Sequence, residues 1–308
     1  MLQNLFTVGQ QVVILFILIA VGVLLGRRRV INDTGAAVIT DVVLYVVAPC
    51  VIIQAFQRPF DAAMLRGLLL SLLLAAAATV LSIALGYLCF HDKNAARRRV
   101  LRFAAVFSNC GFMGLPLQEA VLGADGLFYG SAFLVVFNLL AWTWGLAVMS
   151  GDRQILSAKK LVLNPGILGV IIAVALFLGS VTLPTVIYQP VHYLAALNTP
   201  LPMLVIGYHL SHANLRRAFT AGACWLSMAL RLLIVPLLAL LGMKLCGVEG
   251  TQMVSLVISV AAPVAALCTM FSAKFKNDTE LSVSLVSAST LLSIITMPVV
   301  IALAQLLA

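Results

Sequence analysis

Phe107-Ser-Asn-Cys-Gly-Phe-Met-Gly-Leu-Pro-Leu117 is a polar, helix-weakening stretch set midway along an otherwise apolar run. Gly111 and Gly114 have low helix propensity, and Pro116 lacks an N–H and clashes one turn back. The spacing predicts a helix interrupted near 109–115. A new half-helix is expected to begin at Pro116, because proline suits the first turn. Ser259-Val-Ala-Ala-Pro-Val-Ala-Ala266 repeats the pattern, with Pro263 near the middle of another apolar run.

The setting of these breaks is a bilayer. Of the 308 residues, 63% are hydrophobic and 9% are charged, and the mean hydropathy is +1.13. A soluble domain has roughly 45–50% apolar and about 25% charged residues. The formal net charge is +9, but the cations sit in short loops between apolar runs. They report topology rather than nucleic-acid binding. Cys50, Cys89, Cys110, Cys224, Cys246 and Cys268 form no C-x-x-C pair, and the four histidines have no supporting ligand cluster. Free thiols packed as small hydrophobes are expected, with no metal site and no cofactor.

Ten candidate spans follow: 7–26, 34–56, 64–90, 101–122, 127–149, 165–182, 190–210, 219–243, 252–273 and 281–305. The loops after the odd-numbered spans hold Arg27, Arg28, Arg29, Lys93, Arg97, Arg98, Arg99, Arg153, Lys159, Lys160, Arg216, Arg217, Lys274 and Lys276. The other side holds Arg58, Arg66 and Lys244. The bias puts the odd loops in the cytoplasm and both termini outside, in a multi-pass protein of the cytoplasmic membrane. Arg27 to Arg29 follow the first apolar run instead of preceding it. That run therefore reads as a retained helix, not a signal peptide.

Ten spans divide into two sets of five, at 1–150 and 151–308. An odd number per set forces the second copy to be inverted. Pro49 and Pro200 lie at matching places, as do Asp125 and Asp278, while Cys110 and Gly111 fall opposite Pro263 and Val264. The expected fold is all-α, with crossed and broken fourth and ninth spans. A break in hydrocarbon frees backbone groups, each costing several kcal/mol, so it is tolerated only where it is packed in protein or lines a cavity. Two breaks at matching positions are a pointer to a transport site. Both second half-helices would start at mid-depth, so their positive ends would converge and favour a small anion. Asn109 adds a neutral donor there.

At these residues the chain resembles the auxin efflux carrier family. Ser108-Asn-Cys-Gly-Phe-Met-Gly-Leu-Pro116 is similar to the family's fourth-span signature. Leu44-Tyr-Val-Val-Ala-Pro49, Phe137-Asn-Leu-Leu-Ala-Trp-Thr-Trp-Gly145, Asn164-Pro-Gly166, Arg231-Leu-Leu-Ile-Val-Pro236 and Ala262-Pro263 support it along nearly the whole length. The resemblance implies a scaffold domain and a transport domain, elevator-like alternating access and a homodimer through the scaffold. It implies carboxylate substrates such as malate or malonate in bacterial members, and auxin in plant members. No long hydrophilic central loop is present, as in a compact bacterial member. Carried onto this chain, the substrate site would comprise Asn109, Cys110, Gly111, Gly114 and Pro116, with Asn138, Ala262 and Pro263.

Arg231 lies near the middle of the eighth span, where a central arginine costs roughly 2.5–3.5 kcal/mol. It either holds an anion, pairs internally or sits at a domain seam, and a structural role is favoured because the eighth span is not a broken one. Asp41, Glu119 and Asp125 are candidate proton carriers. Glu119, one turn past Pro116, is the best placed, although a solvated rim position also fits it. Competing readings are a sodium- or proton-coupled symporter resembling bile-acid carriers, a membrane-embedded enzyme and a channel. The enzyme lacks a nucleophile–base pair or metal motif, and the channel lacks a continuous polar lining.

Overall fold

The computed structural model describes residues 2–152, 165–213 and 215–308. Among them, helices are the regular elements: α1 (Leu2–Arg27), α2 (Asp33–Ala55), α3 (Ala62–Cys89), α4 (Ala95–Val106), α5 (Cys110–Ser150), α6 (Pro165–Leu178) and α7 (Thr185–Ala195). There follow α8 (Pro200–Ser211), α9 (Leu215–Thr220), α10 (Gly222–Leu245), α11 (Gly250–Ala261), α12 (Leu267–Lys274) and α13 (Thr279–Leu307). Arg153, Lys159 and Lys160, counted in the charge bias, lie outside the described residues.

Polar residues at the ends of the apolar runs start the helices. Asn32, Asp61, Asn94 and Asp278 each cap an N-terminus by accepting a backbone N–H, which satisfies donors that the first turn leaves free. Gly151, at φ 73°, closes α5 in the left-handed conformation. Among the described residues, six helical stretches are long and apolar enough to cross a membrane: 8–27, α2, α3, α5, α10 and α13. Part of α6 and all of α11 form shorter apolar helices. Leu73 and Val80 on α3 are 69% and 58% exposed. Outward-facing apolar side chains of this kind suit lipid contact.

The break expected at 123–126 is present as a sharp turn at Gly123, which separates two helical stretches of α5. Gly123 turns the chain there at φ 65°, a conformation that needs no Cβ. The expected span 190–210 is interrupted by a short 3₁₀ turn at Ala196–Asn198 ahead of Pro200. Thr199 keeps a helical φ −87°, ψ −56°, but Pro200 has no N–H to offer the Ala196 carbonyl and its ring crowds that group, so regular α-helical bonding lapses where the sequence pattern reads as continuous. The six cysteines are not joined in disulfides, and Cys110, Cys224 and Cys268 are buried.

Packing divides the helices into two groups. In the first, α1 lies against α8, and α2 lies against α6 and α7. In the second, α5 packs on α3 and α11, while α11 packs on α10 and α13. Contacts of α1 with α13, and of α5 with α2 and α6, join the groups. The α1–α8 contact is a backbone-to-backbone approach. A Cβ on Gly207 would run into the Ile19 carbonyl oxygen and the Gly22 Cα. Gly207→Ala is therefore expected to lose about 1–3 kcal/mol of stability through overpacking. It should lower the melting temperature in detergent, whereas Gly242→Ala, with nothing within 4 Å of the added carbon, should not. Equal melting of the two variants would refute the close approach.

Candidate functional site

Helix α4 stops at Val106, and Phe107 is extended at φ −98°, ψ 115°. Helix α11 stops at Ala261, and Ala262 is extended at φ −60°, ψ 147°. The two extended segments run antiparallel, bridged at Ser108 and Val264. Asn109 N–H donates to the Pro263 carbonyl at 2.7 Å, and Ala265 N–H donates to the Phe107 carbonyl at 2.9 Å. Val264 N–H donates to Ser289 Oγ on α13 at 3.1 Å. Groups released by each break are thus taken up by the other break, as burial requires. Phe107 plugs the crossing from one side, with ring centroids 4.5 Å from Phe103, 5.6 Å from Phe137 and 5.8 Å from Trp144.

The first interruption comes two residues earlier than the expected 109–115. The helix resumes at Cys110, not at Pro116, through a wide π-helical turn over Cys110–Gly114. Met113 N–H and Gly114 N–H both reach back to the Asn109 carbonyl, at 3.0 and 3.2 Å. Pro116 then occupies the first turn of regular α-helix, where its missing N–H costs little. Gly111 and Gly114 have no steric need to be glycine, since a Cβ at either would find only contacts of 3.5 Å or more. Their effect is to weaken a regular helix at this point.

Arg231 is the side chain that the crossing closes around. It is 1% exposed and sits on a π-helical turn of α10. Nη1 donates to the Val106 carbonyl at 2.7 Å, with a longer 3.4 Å contact to Ala105, and Nη2 donates to the Val260 carbonyl. One guanidinium therefore caps the C-terminal ends of both first half-helices. Each such end carries about half a negative charge, so one positive charge balances the pair. Both Nη groups of Arg231 are thus engaged by backbone carbonyls.

The turns on the other side of the crossing, at Cys110–Gly114 and at the start of α12, carry no acidic residue. Asn109 is 5% exposed and its Nδ2 has no partner among the described residues. Cys110, Gly114, Pro116, Ala262 and Pro263 are buried around it, and Gly111 is half-buried. Asn138 is half-buried and donates Nδ2 to the Leu134 carbonyl at 3.0 Å. Leu134 is also the residue that a Cβ on Gly111 would touch. Glu119 is half-buried and Asp41 is exposed. Asp125 is exposed beside the kink and pairs with Arg58 at 2.6 Å. The crossing thus gathers the fourth- and ninth-span residues and Arg231, and leaves Asp41 and Asp125 outside.

Three further groups were not legible in the sequence. Gln118, fully buried, donates Nε2 to the Ser255 carbonyl at 2.8 Å and to Ser259 Oγ at 2.7 Å. Ser255 Oγ donates to the Gly126 carbonyl at 2.7 Å. These bonds tie α5 to α11. Ser289 is one of several serines on the buried side of α13, and nothing local marks it as the partner of Val264. Asn198, 1% exposed with Nδ2 unpaired, sits at the turn leading into α8, which itself touches the Cys110–Gly114 turn. Its position ahead of Pro200 was the available signal.

Long apolar helices and a protein-packed break at depth are features of an integral membrane transporter. Comparison with known proteins agrees. The family described as membrane transport protein matches residues 7–301, and the chain belongs to it, the auxin efflux carrier family. An uncharacterized transporter of Methanothermobacter thermautotrophicus is 27% identical over 296 residues, covering 94% of this chain and 96% of that protein. One from Methanocaldococcus jannaschii is 21% identical over 296 residues, covering 92% and 94%. The protein is a multi-pass membrane transporter, and its relatives are named as transporters rather than enzymes.

Removal of the guanidinium tests the cap. Arg231→Met is expected to cost about 1–3 kcal/mol for each carbonyl left unmet, read as a lower melting temperature. Arg231→Lys, which keeps the charge but lacks the fork, should fall between it and the parent. A methionine variant as stable as the parent would mean that those carbonyls find other partners.

Proposed function

We propose that the chain is a secondary transporter that moves a small organic anion, a carboxylate, across the cytoplasmic membrane. The observation that carries this reading is electrostatic. Arg231 answers the negative ends of the first half-helices, while the positive ends of the second half-helices face no acidic side chain on their own first turns. Beside them the Asn109 amide is buried without a partner. A carboxylate would supply the acceptors that these donors lack and the charge that the helix ends favour.

In this reading Asn109 donates to the substrate, the N–H groups of Cys110 and Gly111 approach it, and Gly114, Pro116, Asn138, Ala262 and Pro263 shape the pocket. The chain makes ten crossings as two inverted five-helix repeats, with both termini outside. The group of α1, α2, α6, α7 and α8 is the scaffold, and the remaining spans are the transport domain. The Gln118–Ser255–Ser259 bonds hold the broken helices together, as elevator-type movement of the site requires. The scaffold would also form the homodimer. Cation coupling has one observation in its favour: Gln118 Oε1 is a buried acceptor without a donor among the described residues. Glu119 is the candidate for protons.

A thermal-shift screen of the detergent-purified protein against small carboxylates tests the site, since a ligand that binds only the folded state raises its stability. At about a hundred times its dissociation constant the gain is roughly 2.7 kcal/mol. Asn109→Ala should remain folded and lose that response. A variant that responds like the parent would remove Asn109 from the site. Uptake into proteoliposomes with and without a sodium gradient decides the coupling, and unitary conductance steps in place of saturable flux would indicate a channel.

A further inference from the structure

Away from the crossing, a cleft of about 400 Å³ opens between the ends of α3, α4 and α5. Its chemistry comes from Arg98, Arg99 and Arg102 on α4, with Tyr87 at the end of α3 and Trp144 on α5. Three guanidinium groups in one cleft repel one another unless an anion joins them. Asp92 is already engaged, 3.3 Å from Arg97 Nε. Arg98 Nη1 donates to the Asp92 carbonyl at 2.7 Å. Arg102 gives Nε and Nη2 to the Phe90 carbonyl at 3.1 and 2.8 Å. These bonds place the heads without neutralising them. Among the described residues, no carboxylate pairs with Arg98, Arg99 or Arg102.

The walls are built to hold the charges in place. The Arg102 guanidinium lies 4.2 Å from the Tyr87 ring centroid, and the Tyr87 and Trp144 rings meet edge-on at 6.2 Å. Gly151 lines the cleft at φ 73°, and a Cβ there would run into the Arg99 guanidinium. Tyr87 is 43% exposed and its neighbour Leu88 is 72% exposed, at the end of an apolar helix. Tyrosine and tryptophan at such an end mark the level of the headgroups, so the cleft opens sideways toward lipid and not only toward water.

The geometry points to a binding site for a phosphate-bearing group, supplied by the headgroup of an anionic phospholipid in the leaflet on the cation-rich side. Guanidinium forks match phosphate oxygens, and basic pockets between spans on that side suit acidic headgroups. The glycerol and acyl chains would run out past Tyr87 and Leu88. This site does not depend on the identity of the transported substrate.

The test is native mass spectrometry of the purified protein titrated with phosphatidylglycerol or phosphatidylcholine. One phosphatidylglycerol should be retained in preference to phosphatidylcholine, and higher salt should weaken it. Arg98→Gln/Arg99→Gln should bind about thirtyfold more weakly, roughly fivefold for each charge removed. The single Arg99→Gln variant, whose head makes no hydrogen bond among the described residues, guards against misfolding, and its lipid-free melting temperature should match that of the parent. Equal retention of the two lipids, or unchanged phosphatidylglycerol binding in both variants, would overturn the site. Protection from melting by inorganic phosphate or glycerol 3-phosphate equal to that by phosphatidylglycerol would overturn the lipid source.

Discussion

A backbone amide or carbonyl released inside a membrane has no water to turn to, and leaving it unmet costs several kcal/mol. The crossing meets this constraint by making each interruption the partner of the other. Phe107 and Asn109 exchange hydrogen bonds with Ala265 and Pro263, and Ser289 takes the Val264 amide. Arg231 takes the carbonyls that the ended helices can no longer use. The aromatic packing of Phe103, Phe107, Phe137 and Trp144 then excludes lipid from the junction. Neither break would be tolerable without the other.

The same arrangement makes the crossing electrically one-sided. Two half-helices end on one side and two begin on the other, so the backbone alone would be a pair of opposed partial charges. A single guanidinium, taken out of water at considerable cost, balances the negative side. The positive side is left with amides and the Asn109 head, which has no partner among the described residues. The cost of burying Arg231 is offset by carbonyls that would themselves be unsatisfied without it. This explains why an arginine is stable in the middle of an apolar helix.

Mechanical unity follows from the polar seam below the crossing. Gln118 and Ser255 fasten α5 to α11 by side-chain bonds in a fully buried place. Such bonds are not readily exchanged for water, so the two broken helices are held as one body. The other group is held differently, by backbone contact at Gly22 and Gly207. The helices of the two groups also meet, α1 against α13 and α2 against α5.

Some of this was legible in the residues alone. Apolar run lengths and the basic loops gave the membrane class, because hydropathy and charge act locally and leave their mark in order along the chain. Proline and glycine announced both breaks for the same reason. Their exact register did not follow. Where the helix resumes, at Cys110 and not Pro116, depends on the hydrogen bonds between Asn109 and a segment some 150 residues away. The turn before Pro200 likewise replaced an expected continuous span. What the sequence by itself determined was which segments prefer lipid and where they cannot stay helical, since those are properties of neighbouring residues. Which freed group meets which partner was decided only by the tertiary structure. Arg231, Gln118 and Ser289 act across gaps in the chain, and no local pattern encodes a contact made at that range.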